Sequence, residues 1–392
     1  MQFSQELKED LSIRQRRLQD AMQTQGVEAC ILTTNVNIFY VSGIVYTGYY
    51  YLPAAGEPIH FIKSPQATPI ENAVYIRKPE QITEILKDKG IPLPKNILLE
   101  TDSVAYSQIV RLLAIFNLSE CLNASVWMRK IRSVKTDYEI DQVKQCARRH
   151  ELVYSKIPEI YRKGMTDIEL QIEIERLMRL NGSVGTFRGY GDNMEIFMGS
   201  LLVGDNAQAP SPFDFALGGA GVSPIVPLGA NGSVIQEGQA IMVDMAGNYS
   251  PWMTDMTRVF SAGKTSGLAY KAHQVSIDIH EKTMEVFQPG FPCAELYNLA
   301  LEIVNKEDLS DYFMGTKQQA KFIGHGLGLE INEPPVLTPR SKELLVENTV
   351  FALEPKFVLP GIGAVGVENT YLVTNSGLEK ITLFEEQIIE LN

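Results

Sequence analysis

Five side chains in the second half of the chain have the types and spacing from which a metal site can be built. The stretch Ile241 to Phe260, IMVDMAGNYSPWMTDMTRVF, sets Asp244 after the apolar run Ile241, Met242 and Val243. A turn-rich insert, Gly247-Asn248-Tyr249-Ser250-Pro251, separates it from Asp255, which precedes Thr257, Arg258, Val259 and Phe260. The pattern reads as two antiparallel strands joined by a short loop. Carboxylates on neighbouring strands can face one way and share a hard divalent cation. Taken alone, such a pair is more often turn chemistry or solvated charge.

Three further stretches change that balance. Phe322-Ile323-Gly324-His325-Gly326-Leu327-Gly328 sets a histidine between glycines, where backbone can approach a ligand closely. Val350-Phe351-Ala352-Leu353-Glu354-Pro355-Lys356 places a carboxylate after an apolar run, where an unpaired charge is costly. Gly366-Val367-Glu368-Asn369-Thr370-Tyr371-Leu372-Val373 does the same one hairpin later. A solvent-facing Glu on an alternating strand would account for either one singly. Four carboxylates and an imidazole in apolar strands call for cations, and two divalent ions would offset the four negative charges.

The elements that must position these groups fall into two parts. A chain of 392 residues, 45% apolar and 21% charged, has the size and composition of a soluble globular protein of two or three domains. Its formal net charge of −12 argues against nucleic acid as a partner, which requires a basic surface. No apolar run reaches the length of a membrane span, and the N-terminus is charged and amphipathic without a signal-peptide core. Cys30, Cys121, Cys146 and Cys293 form no CxxC pair and read as buried, reduced thiols of a cytoplasmic protein.

Residues 4–25 read as a helix stopped at Gly26, 27–33 as a buried strand and 37–42 as another strand. The tyrosine-rich segment Tyr46 to Tyr51 reads as a hairpin turn in preference to a surface covering a neighbouring subunit's pocket. These and later short elements give a compact α/β domain over residues 1–130, closed by a basic linker from Met128 to Lys135. Capping boxes at Thr136 and Thr166 open two helices of the second domain, residues 131–392. Helices from Gly267 and Pro292 follow, and strands return from Val350 to Thr374. The second half is therefore α+β.

With these residues in view, the chain resembles the pita-bread fold metallopeptidases, in the branch of prolidase, aminopeptidase P and creatinase. Asp244, Asp255, His325 in GHGLGLE, Glu354 in LEP and Glu368 in GVEN follow that family's five-ligand order. RLQDAMQTQGVEACILTTNVNIFYVSG resembles its creatinase-type N-terminal domain, and MRKIRSVKTDYEIDQVKQCA its entry into the catalytic domain. The resemblance implies a homodimeric hydrolase of small peptide or peptide-like substrates, with an Xaa-Pro bond as the default. It further implies that Asp255 and Glu368 bridge two metal ions, Asp244 chelates one, and His325 and Glu354 each bind one. A metal-bridging hydroxide would attack the carbonyl carbon, with Glu354 taking the proton and passing it to the leaving nitrogen. Such a ligand set suits Mn²⁺ or Co²⁺ and tolerates Zn²⁺.

Two departures accompany the resemblance. Proline-specific members carry a histidine where GAGVSPIVP here has Pro227, and another where the run Ile331-Asn332-Glu333-Pro334 has Asn332. Neither residue shuttles a proton at neutral pH, and only Asn332 can donate a hydrogen bond. Arg188 and Tyr190 are candidate replacements, though surface loop residues are the commoner explanation. Two other readings stay open: a creatinase-like C–N hydrolase or lyase of a non-peptide metabolite, and a non-catalytic binding protein. The full ligand set disfavours the binding protein.

Overall fold

The computed structural model describes residues 3–71, 73–186, 188–191, 198–213 and 215–392. The chain divides into two compact units, Met1–Arg132 and Ser133–Asn392.

The first unit is built on a six-stranded mixed sheet. Ala29–Leu32 pairs antiparallel with Thr47–Pro53 on one side and parallel with Ile97–Leu99 on the other. The opening helix, Gln5–Gln25, begins where the Ser4 side chain accepts from the Leu7 amide, and it ends on Gly26 at φ 67°. Three expectations fail here. Asn35–Ser42 is a helix, not a strand. Its N-terminus is held by the buried carboxylate of Glu100, which accepts from the Thr34 amide at 2.9 Å and from Asn37 Nδ2 at 2.7 Å. A carboxylate at a helix N-terminus satisfies donors the helix cannot, and this one arrives from a distant strand end, so no local pattern announces it. Tyr46 to Tyr51 leads into and forms an interior strand, with all four tyrosines buried, and is neither a turn nor a covering surface. The supposed basic linker is mostly the helix Ala124–Ser133, whose Met128 and Arg132 are buried, Arg132 donating to Asn37 Oδ1. All four cysteines are free, as the sequence suggests, but Cys121 is only partly buried.

In the second unit both capping boxes form, at Thr136–Glu139 and Thr166–Glu169, opening helices Asp137–Tyr154 and Asp167–Leu180. These cover one face of a four-stranded sheet containing Gly199–Val203, Ala240–Met245 and Thr257–Ala262. Helices Gly267–Val286 and Cys293–Lys306 share a second core with the strands Val350–Leu353, Lys356–Leu359 and Gly363–Gly366. Both helices start within a residue of the positions the sequence suggests, Gly267 and Pro292.

Three imidazoles are sealed between these layers. His280 Nε2 lies 3.0 Å from the Val367 carbonyl and its Nδ1 2.9 Å from the Tyr371 hydroxyl. His273 receives the Gly366 amide at Nδ1, and its Nε2 lies 2.6 Å from the Glu386 carbonyl. His150 Nδ1 faces Thr254 Oγ1 at 3.0 Å. Burial lowers their pKa values, to about 3 for His150 and about 4 for His273 and His280. An unfolded histidine titrates near 6.5, so below that pH the unfolded chain binds protons that the folded chain refuses. Stability is therefore lost as pH falls from about 6.5 towards 4, on the order of 3 kcal/mol for each imidazole. Histidine NMR resonances of the folded protein are expected to keep their neutral positions at pH 5. Ordinary titration of these three near pH 6.5 would refute the assignment.

Candidate metal centre

The ribbon carrying the first two carboxylates is in register from Ala240↔Ser261 to Asp244↔Thr257. Beyond that pair the strands part, and Asp255 sits in the returning loop. Tyr154 closes the parting: its hydroxyl donates to the Met256 carbonyl at 2.8 Å and accepts from the Met245 amide at 3.0 Å. The other carboxylates come from a second ladder. Leu353 pairs with Asn369, and Lys356 with Gly366. The register is the same on both sides of the gap, which sets Glu354 opposite Glu368. His325 enters from the adjacent strand, where it pairs with Ala352.

The two ladders are tied together directly beneath the carboxylates. Thr257 Oγ1 donates to Glu368 Oε2 at 2.7 Å. Thr370 Oγ1 donates to the Asp255 carbonyl at 2.8 Å and accepts from the Asp255 amide at 2.9 Å. The Arg258 guanidinium, fully buried, reaches the carbonyls of Thr257, Glu368 and Phe384 and Asn369 Oδ1. The glycine-rich turn after His325 has its own brace. Lys135 Nζ and Glu333 Oε2 form a buried ion pair at 3.0 Å, and Glu333 Oε1 accepts from the amides of Leu329 and Glu330. A Cβ on Gly328 would come within 2.8 Å of Glu333 Oε2, so this position has no room for a side chain.

All five side chains singled out in the sequence converge. Ligand atoms of Asp255, His325 and Glu368 lie within 4.8 Å of one another, and among the described residues this is the one group that meets that closeness. His325 Nε2 is 3.6 Å from Glu354 Oε1 and 3.9 Å from Asp255 Oδ2. Glu354 Oε1 is buried and has no hydrogen-bond partner among the described residues. The donor set of two carboxylates and an imidazole, with an orphaned carboxylate oxygen alongside, fits a divalent cation.

A sixth residue occupies the other side. Lys356, completely buried, directs Nζ to Glu354 Oε2 at 2.6 Å, Asp244 Oδ2 at 2.9 Å and Glu368 Oε2 at 3.1 Å. An ammonium has three donors, and each finds a carboxylate. Burial alone would lower the Lys356 pKa, but the three carboxylates hold it well above its ordinary value. Asp244 is raised by burial, an effect that Lys356 outweighs, leaving its pKa below the usual carboxylate range. Asp255 lacks that contact, and burial followed by the charge of Asp244 pushes it well above the range. Glu368 is likewise raised by burial and by Asp255, despite Lys356. One ammonium does not neutralise the cluster.

These residues lie within a recognisable pattern: the profile of metallopeptidase family M24 matches residues 141–375, and that of the creatinase/prolidase N-terminal domain residues 14–134. The chain belongs to metallopeptidase family M24. It is 24% identical over 387 residues to the Xaa-Pro dipeptidase of Pyrococcus furiosus, covering 96% of this chain and 99% of that one. Among solved structures it resembles the Xaa-Pro dipeptidase from Bacillus anthracis, with TM-score 0.80, 23% identity and coverage of 97% and 100%. The X-Pro aminopeptidase from Thermotoga maritima gives TM-score 0.76, 22% identity and coverage of 93% and 98%. The two-part architecture of creatinase-type and pita-bread domains is that of the family.

The sequence reading missed Lys356, Arg258 and Thr257 as members of the site. Lys356 carried a visible signal, a charge inside an apolar strand two residues after Glu354, whereas Arg258 and Thr257 look like ordinary strand residues. Asn332 is already committed: its Oδ1 accepts from the Tyr190 amide and its Nδ2 donates to the Tyr190 carbonyl, both at 2.7 Å. The Ile331 amide likewise donates to the Arg188 carbonyl at 2.8 Å. Asn332 therefore holds the backbone of the loop bearing Arg188 and Tyr190 against the segment that follows the His325 strand. Pro227 lies half-buried in a loop that the Ser223/Val226 bridge folds back on itself.

Proposed function

We propose that this chain is a metal-dependent hydrolase of the Xaa-Pro peptidase type, acting on small peptides. The observation that carries this reading is the convergence of Asp255, His325 and Glu368, with the free Glu354 oxygen beside them, in a member of a metallopeptidase family. The relatives named as Xaa-Pro peptidases support the substrate class.

Asp255, His325 and Glu368 would hold the ion, for which Mn²⁺ or Co²⁺ is the best match to mixed oxygen and imidazole ligands, with Zn²⁺ tolerated. When bound, the ion lowers the pKa of water and polarises the scissile carbonyl. Glu354 Oε1 accepts the proton and returns it to the leaving nitrogen. Asp244 and Lys356 fix the position of Glu354 and Glu368 through the shared ammonium. No helix among the described residues is long and apolar enough to cross a membrane. We infer a cytoplasmic homodimer, which sedimentation of the purified protein tests.

A second reading, hydrolysis of a non-peptide C–N bond, draws on Pro227 and on the engagement of Asn332 with Tyr190. Without imidazoles at those two positions, transition-state charge on the substrate oxygen lacks donors, each worth about 10²–10³ in turnover. Rates on simple Xaa-Pro dipeptides are therefore expected to be low, rising with added Mn²⁺ and vanishing with chelator. Steady-state kinetics on a panel of Xaa-Pro dipeptides and longer N-terminal Xaa-Pro peptides checks this. A metal-loaded protein inert on the whole panel would displace the peptidase reading in favour of the second.

A further inference from the structure

We propose that the Lys356 ammonium takes the place of one of two cations, so that this chain holds a single divalent ion, at Asp255, His325 and Glu368. This rests on the metal-dependent reading above and narrows it from two ions to one.

The geometry is that of an occupied cation position. Nζ lies 2.6–3.1 Å from oxygens of Asp244, Glu354 and Glu368, with one N–H for each. Those oxygens are the ones a second ion would need, and an ion placed among them would meet the ammonium at close range with like charge. Lys356 is held where it is. Its side chain is fully buried, and its backbone is held in the ladder opposite Gly366, with its carbonyl accepting from the Met314 amide at 2.8 Å. Gly366, opposite it, packs closely: a Cβ there would come within 2.9 Å of Lys356 Cα and 3.4 Å of its Cγ.

The charge balance agrees. Asp244, Asp255, Glu354 and Glu368 bring four negative charges, and Lys356 returns one. A divalent ion at the three-residue group leaves a single negative charge, whereas a second would make the cluster positive with the ammonium still in place. The ammonium also leaves Glu354 Oε1 unpartnered and facing His325, so the substitution keeps the proton acceptor available.

The test is metal stoichiometry, which does not depend on turnover. The full chain, stripped with chelator and reloaded with excess Mn²⁺, is analysed for metal content and by electron paramagnetic resonance. One Mn²⁺ per chain with an uncoupled spectrum is expected. Lys356→Ala is expected to double the content to two, with the spin-coupled signal of neighbouring ions. Should that variant fail to fold, anomalous diffraction from a Mn²⁺-soaked wild-type crystal decides instead, one peak beside His325 being the expected result. Two ions in the wild type would overturn the proposal and leave the hydrolase reading standing. Lys356→Ala remaining at one ion would also overturn it, because the lysine would then not be what excludes the second. No bound ion at all would defeat the metal-dependent reading itself.

Discussion

Glu354→Gln is expected to lower turnover by about 10²–10⁴-fold, the usual contribution of a positioned general base, with little change in the fold. The local geometry makes the substitution harsher than a loss of charge. Glu354 Oε2 receives Lys356 Nζ at 2.6 Å, and a glutamine must turn its carbonyl oxygen to that ammonium, because two donors cannot face each other. The amide nitrogen is then forced into the place of Oε1, the oxygen that has no partner and lies 3.6 Å from His325 Nε2. A proton acceptor becomes a donor at the position where a proton must be taken up. Metal content has to be measured alongside, since Glu354 borders the ion. Turnover near that of the wild type with metal retained would place the base on another residue.

How much of this could be read from the sequence depended on whether an interaction was local. Helix starts at Thr136 and Thr166 were legible because a capping box is contained within four residues. The helix Asn35–Ser42 was not, because its N-terminal donors are met by Glu100, at the end of the neighbouring strand Ile97–Leu99 and 66 residues from Thr34 in the chain. The five acidic and imidazole groups were legible as a set, since each sits in an apolar stretch where a bare charge is costly. Their convergence is now explained by two ladders with matched registers, joined by Thr257, Thr370 and Arg258. Lys356 was open to the same reasoning as the carboxylates, being a charge in the strand KFVL, whose residues are all buried. A metal-ligand pattern is made of groups that donate electron pairs, and an ammonium has none to give; it belongs with the cations that neutralise them. The pairing of Asn332 with Tyr190 joins two segments 142 residues apart in the chain, and no spacing rule reaches that far.

Arg258→Met is expected to destabilise the second unit by about 2–4 kcal/mol and to weaken metal binding as well. The stability figure follows from four acceptors. The carbonyls of Thr257, Glu368 and Phe384 and the Asn369 side chain all take hydrogen bonds from this guanidinium. The Thr257 carbonyl keeps the Glu368 amide and Asn369 Oδ1 keeps the Thr382 hydroxyl. Each of the other two left unmet costs about 1–3 kcal/mol, partly offset because the variant no longer has to bury a charge. The effect on metal comes from where those acceptors lie. Thr257 belongs to the strand that follows Asp255, and Glu368 is itself in the proposed ligand group, so the guanidinium is a rivet between the two ladders whose carboxylates must meet. With it gone, the Glu368 carbonyl loses its hold on the first ladder, leaving its amide on the Thr257 carbonyl at 3.3 Å and its side-chain oxygen on Thr257 Oγ1 and Lys356. Arg258→Lys is not expected to rescue, because one ammonium cannot span the acceptors a planar fork reaches. Urea denaturation and Mn²⁺ titration of both variants separate the two effects. A lowered urea midpoint with unchanged Mn²⁺ affinity would make Arg258 a purely structural residue, whereas loss of both places it in the positioning of Glu368.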